Sequence, residues 1–204
     1  MVAVELQETI ETLYRIDGEL SVADYRIDGR TLEILLGKRT EEREMLLVHH
    51  DGEYTNLSLY IDDEVLLRAR AFLDGCGDLD AFCAATEGVS HFVYFTFCGG
   101  QLDRPVSQIE LELQAEIDKY LVVRLFAPIS GDLIPQLFEQ IRFADRLSAL
   151  ERERYVVANQ AGRRYARWLD QQIARGRAAF ALDDARQLYR KPLAAKLDHI
   201  ARAA

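Results

Sequence analysis

The chain has 204 residues, 49% of them hydrophobic and 29% charged, a mix that excludes wholesale disorder and fibrous repeats. At this length about 70% of the unfolded surface can be buried without help from metal or disulfides, so one α+β domain over residues 1–204 is expected. The net charge of −9 is uneven: residues 1–150 carry 13 basic and 28 acidic groups (net −15), and residues 151–204 carry 12 and 6 (net +6). That balance argues against nucleic acid as a partner and suggests attraction between the two parts, within one chain or across a dimer.

Leu6, Ile10, Leu13 and Tyr14 recur at helical spacing and predict a helix over 3–15. The tetrapeptide Arg15-Ile16-Asp17-Gly18 is echoed at 26–29, and Asp-Gly favours two-residue hairpin turns. Hairpins are therefore expected at Asp28-Gly29, joining 20–27 to 30–36, and at Asp51-Gly52, joining 44–50 to 53–61. In the second hairpin a two-residue loop sets His49 opposite Tyr54, Val48 opposite Thr55 and Leu46 opposite Leu57. Leu46, Val48, Thr55, Leu57, Leu59 and Ile61 then share an apolar face, and His49, Tyr54, Asn56, Ser58 and Tyr60 share the other. Helical stretches over 63–73 and 78–86 precede His91–Cys98, whose β-branched and aromatic residues fill both alternating sets. They predict a central strand covered on both faces. The expected sheet is mostly antiparallel, with four to six strands.

From 105 onward the pattern turns helical. Ser107-Gln108-Ile109-Glu110 matches a capping box and opens a helix over 108–125 that buries Ile109, Leu113, Ile117, Tyr120 and Leu121. Asp132 caps the next helical stretch, which runs over 133–175 as one helix or as two broken near 143–150, and Gly176 stops it. Asp183 or Asp184 caps a final piece interrupted near Pro192. The expected architecture is thus a sheet-rich first half followed by a helical C-terminal half.

Cys76, Cys83 and Cys98 show neither C-x-x-C spacing nor even pairing, which fits a reducing cytoplasm. The N-terminus lacks a basic, then apolar, signal pattern, and no apolar run approaches the about 20 residues of a membrane span. Phosphate-loop, dinucleotide, zincin and hydrolase-elbow motifs are absent, and the leading expectation has no cofactor and no metal site.

Three constellations stand out. Glu112, Glu116 and Lys119 share a helix face at i, i+4 and i+7, and His91 precedes that helix as a possible base or ligand. The plain alternative is a solvated acidic face with Glu116 paired to Lys119. His49, Tyr54 and Tyr60 could line a ligand groove on the polar hairpin face. Arginines interleaved with aromatics between 163 and 202 include Tyr165 and Trp168, which fall on the apolar stripe and are candidate anchors of a two-fold interface. The leading expectation is a cytosolic binding or interaction protein, a homodimer or the partner of an acidic protein. The alternative is a small enzyme or metal-dependent protein centred on His91, Glu112 and Glu116.

Overall fold

The computed structural model describes residues 1–52, 54–76, 78–126, 131–139 and 148–203. In chain order it contains α1 (Val2–Tyr14), α2 (Val22–Tyr25), β1 (Arg26–Ile27), α3 (Gly29–Leu36), β2 (Glu44–Asp51), β3 (Tyr54–Ile61), α4 (Asp63–Leu73), α5 (Leu79–Gly100) and α6 (Gln108–Phe126). A π-helical turn (Pro135–Glu139), α7 (Ala149–Ala174), α8 (Ala178–Tyr189) and α9 (Leu193–Ala203) follow. The helices at 2–14 and 63–73 agree with the sequence spacing, and the latter is capped by Asp62 accepting from Glu64 and Val65.

The expected sheet is corrected. About 70% of the described residues are helical, and the sheet they form has three strands in the order β1-β3-β2, with β1 parallel to β3 and β2 antiparallel to it. There is no hairpin at Asp28-Gly29. Asp28 is the N-cap of α3, accepting from Thr31 N at 2.7 Å, and Gly29 is the first helical residue. A short side chain that can fold back on the backbone suits a cap as well as a turn, so Asp-Gly alone did not separate the two.

The second hairpin forms, displaced by two residues from the expected register. Asp51 pairs with Tyr54, Val48 with Leu57, Leu46 with Leu59 and Glu44 with Ile61. Because side chains alternate with period two, a two-residue slip keeps every side chain on its expected face. The burial gradient runs along the hairpin, not only across it: Leu59 and Ile61 are buried at its root, while Val48 and Tyr54 are exposed towards its tip.

The largest correction is at His91–Cys98, which lies inside α5 and is not a strand. Ala81, Phe82, Ala85, Val89, Phe92 and Val93 are all buried, as are Thr86, Ser90 and His91, because α1, α4, α6 and the hairpin surround the helix. A helix buried on nearly every side shows no polar stripe, so its sequence looks the same at period two and period 3.6. Tertiary burial overrides the β preference of its aromatic and branched residues.

The expected stretch 133–175 is divided. Residues 140–147, which hold most of the break expected near 143–150, lie outside the described residues, but α7 starts afresh after Ser148. That serine and Glu151 form a reciprocal capping box, a start signal that apolar spacing alone does not show. Gly176 adopts φ 74° just beyond α7, as a helix stop should. Asp184 sits inside α8 and caps nothing. No helix among the described residues is long and apolar enough to cross a membrane.

Candidate metal centre

Two helices and a strand root converge beneath α7. On α5, Glu87 and His91 stand at i and i+4. Glu112 and Glu116 do the same on α6, with Lys119 one turn further, and β2 contributes Glu44 from its first position. Two glycines let these backbones close in. A Cβ at Gly88 would lie 3.1 Å from both Glu44 Cβ and Ile61 Cγ1, so the bare helix surface there seats the hairpin root. A Cβ at Gly162 of α7 would lie 2.7 Å from Glu116 Cβ, so α7 crosses α6 at a distance only glycine permits.

The result is a buried, mostly acidic cluster. His91 Nδ1 lies 3.4 Å from Glu44 Oε2, and His91 Nε2 lies 3.6 Å from Glu112 Oε2. Lys119 Nζ donates to Glu87 Oε2 at 2.9 Å and to Glu116 Oε1 at 3.1 Å. One ligand atom from each of Glu87, His91 and Glu112 lies within 4.8 Å of the others. His91 is 7% exposed, yet its Nε2 makes no hydrogen bond, and Glu116 Oε2 and Glu44 Oε2 are likewise buried without one. Buried polar atoms are nearly always satisfied, so three such atoms in one cluster call for an explanation.

Electrostatics follow from this geometry. Burial raises the Glu44 and Glu116 carboxyls above the usual range, partly countered by His91 and Lys119 respectively. Burial also acts on Glu87, but Lys119 and His91 outweigh it and hold the group below its usual value. His91 and Lys119 are each disfavoured as cations by burial. Their carboxylate neighbours reverse this and raise both well above their ordinary values. The neighbouring Cys83 thiol is pushed up to about 12 by burial, so it is protonated and a poor ligand.

The structure thus brings the sequence candidates His91, Glu112, Glu116 and Lys119 together, with Glu116 bonded to Lys119 as the plain alternative foresaw. Sequence reasoning missed Glu44 and Glu87. The i, i+4 pairing of Glu87 with His91 was available but was hidden once His91 was placed on a strand; Glu44 carried no local signal. The other candidates do not gather. His49 and Tyr54 are exposed near the hairpin tip, while Tyr60 is buried at its root with its hydroxyl donating to Asp62. Tyr165 is fully buried and donates to Asp184, which also meets His199 Nε2 at 2.9 Å, so it has no surface to offer a second copy; Trp168 is half-buried.

A second buried network adjoins the first on the far side of α6. Asp118 accepts from Ser90 Oγ (2.6 Å), Gln114 Nε2 (2.8 Å) and the Tyr14 hydroxyl. Gln114 in turn accepts from Lys196, whose ammonium lies 4.3 Å from the Tyr94 ring centroid. Burial lifts Asp118 to about 6 and lowers Lys196 to about 7. Its side chains satisfy one another, which makes it a packing device tying α1, α5, α6 and α9 together. No protein-family model, curated protein or solved structure matches this chain.

Proposed function

We propose that this is a metal-dependent protein that holds one divalent transition-metal cation at Glu87, His91 and Glu112. The observation that carries the reading is the convergence of one ligand atom from each of these residues, in a cluster where the buried His91 Nε2 has no hydrogen bond. Ligands of a bound cation stand about 3–4 Å apart, each about 2.0–2.2 Å from the ion, so modest side-chain adjustment suffices. Charge points the same way. Among the described residues Glu44, Glu87, Glu112 and Glu116 meet Lys119 and His91 as close cationic partners, with Arg43 acting on Glu87 from further off, so carboxyl groups outnumber cations in a buried site. A divalent cation in place of a proton there lessens that excess. Imidazole with carboxylates suits manganese, iron or zinc better than calcium or magnesium. Three protein ligands also leave coordination positions free, as catalytic sites do and structural zinc sites do not. Lys119, by bonding Glu87 and Glu116, fixes the carboxylates in place.

Calorimetric titration of chelator-treated protein with Mn²⁺, Zn²⁺ and Fe²⁺ tests this. One equivalent should bind, and Glu112→Gln and His91→Ala should each weaken it at least tenfold while circular dichroism stays unchanged. Absence of saturable binding, or equal binding by both variants, would reduce the cluster to an ion-pair network. A second reading, a cytoplasmic homodimer, is supported by the opposite charges of residues 1–150 and 151–204, which pairing would bring together. Sedimentation equilibrium showing only monomer across the micromolar range would remove it.

A further inference from the structure

On the face of α7 turned away from the cluster, Gln160, Arg163, Arg164, Arg167, Trp168 and Gln171 recur at helical spacing and line one stripe. Together with Ala203 at the end of α9 they line an open cleft of about 570 Å³. A cleft that size falls in the range of small-ligand sites. Two of its guanidinium groups share one carboxylate among the described residues: Glu139 Oε1 accepts from both Arg163 and Arg167. Among the described residues Arg163 and Arg167 have no other bonding partner, and Arg163 Nε is buried without one. Arg164 donates to the Ala201 carbonyl at 2.8 Å, which fixes α9 against this face.

We infer that this cleft binds a small phosphoryl anion, a diphosphate group or an ester carrying one, in the fork of Arg163 and Arg167. Guanidinium is planar and presents its donors in pairs that match phosphate oxygens, and two such groups side by side match a diphosphate. Glu139 holds the fork open in the place where phosphoryl oxygens bind. The ligand is a small molecule and not a nucleic acid. The local field of the Arg163 and Arg167 fork acts over about one Debye length, whereas a long polyanion would also meet the acidic remainder of a chain of net charge −9.

Trp168 is the only tryptophan in the chain and lines the cleft, so its fluorescence reports occupancy directly. Inorganic diphosphate should be titrated at physiological salt with chelator present, which keeps the proposed metal centre out of the measurement. Wild type should show a saturable change in emission, with affinity at least tenfold weaker in an Arg163→Gln/Arg167→Gln variant. Glu139→Gln, which removes the competing carboxylate, should bind several-fold more tightly. These opposite effects cannot come from a general loss of structure, and circular dichroism of each variant checks the fold. No saturable change in wild type up to about 10 mM would overturn the inference, because such affinity lies above about −3 kcal/mol. So would an unchanged affinity in the arginine variant or a weaker one in Glu139→Gln.

Discussion

Lys196 offers the sharpest energetic test of the structure. Its side chain is 0% exposed, donates to Gln114 Oε1 and faces the Tyr94 and Tyr189 rings, with Asp118, Glu110, Cys98 and Arg104 nearby. Burial lowers its proton affinity from the ordinary 10.5 to about 7. Between those values the unfolded chain binds a proton that the folded chain does not, so stability must rise with pH across that window. Each pH unit contributes about 1.4 kcal/mol, or about 2–3 kcal/mol between pH 7 and 9. His91 acts in the opposite sense. Its folded value is raised, so its contribution is full below the unfolded value of about 6.5 and is lost as pH climbs through the folded one. The measurement is therefore a difference: urea denaturation of wild type and Lys196→Met at pH 7, 8 and 9. Methionine has a similar length without a charge to desolvate, so the variant should be the more stable at pH 7, as when a buried charge yields to an apolar isostere. Its advantage should shrink by about 2–3 kcal/mol at pH 9. An advantage independent of pH would refute the argument that burial lowers the proton affinity of Lys196.

The crossing of α6 and α7 predicts that Gly162→Ala destabilises the fold by about 1–3 kcal/mol, because overpacking outweighs the about 1 kcal/mol of helix propensity gained. A rise in melting temperature would show the crossing to be looser than described. Along the hairpin, Leu59→Ala should cost about 2–5 kcal/mol and Val48→Ala less than about 1 kcal/mol, since Leu59 is 0% exposed and Val48 36%. Equal losses by chemical denaturation would contradict the root-to-tip gradient.

The stripes of α1 and α4 and the Ser107 cap of α6 were legible in the sequence, while the core helix α5 and the short α3 were not. The stripes of α1 and α4 stand out because solvent demands polar residues on the opposite face. The core helix α5 meets no solvent along most of its length, so nothing in Phe92-Val93-Tyr94-Phe95-Thr96-Phe97 distinguishes a helix from a covered strand. The faces of β2 and β3 were correct even though the pairing was two residues off, since faces depend on parity and register depends on the turn. The candidate site divides the same way. Glu112, Glu116 and Lys119 share a face that helical spacing reveals, and His91 joined them only through a long-range packing no local pattern encodes. Glu44, about forty residues before Glu87, reaches the site through Gly88.

Two of the positions that shape the acidic cluster have no side chain at all. Gly88 and Gly162 seat Glu44 and Glu116 by leaving room for them. In a saturation scan of this protein, intolerance around the cluster should therefore have two chemically distinct sources. At the acids and the imidazole, substitutions of similar size but different charge should fail; at the two glycines almost every substitution should fail, in proportion to volume and without regard to polarity. A map of forbidden residues would then trace the empty space of the site as clearly as its charges.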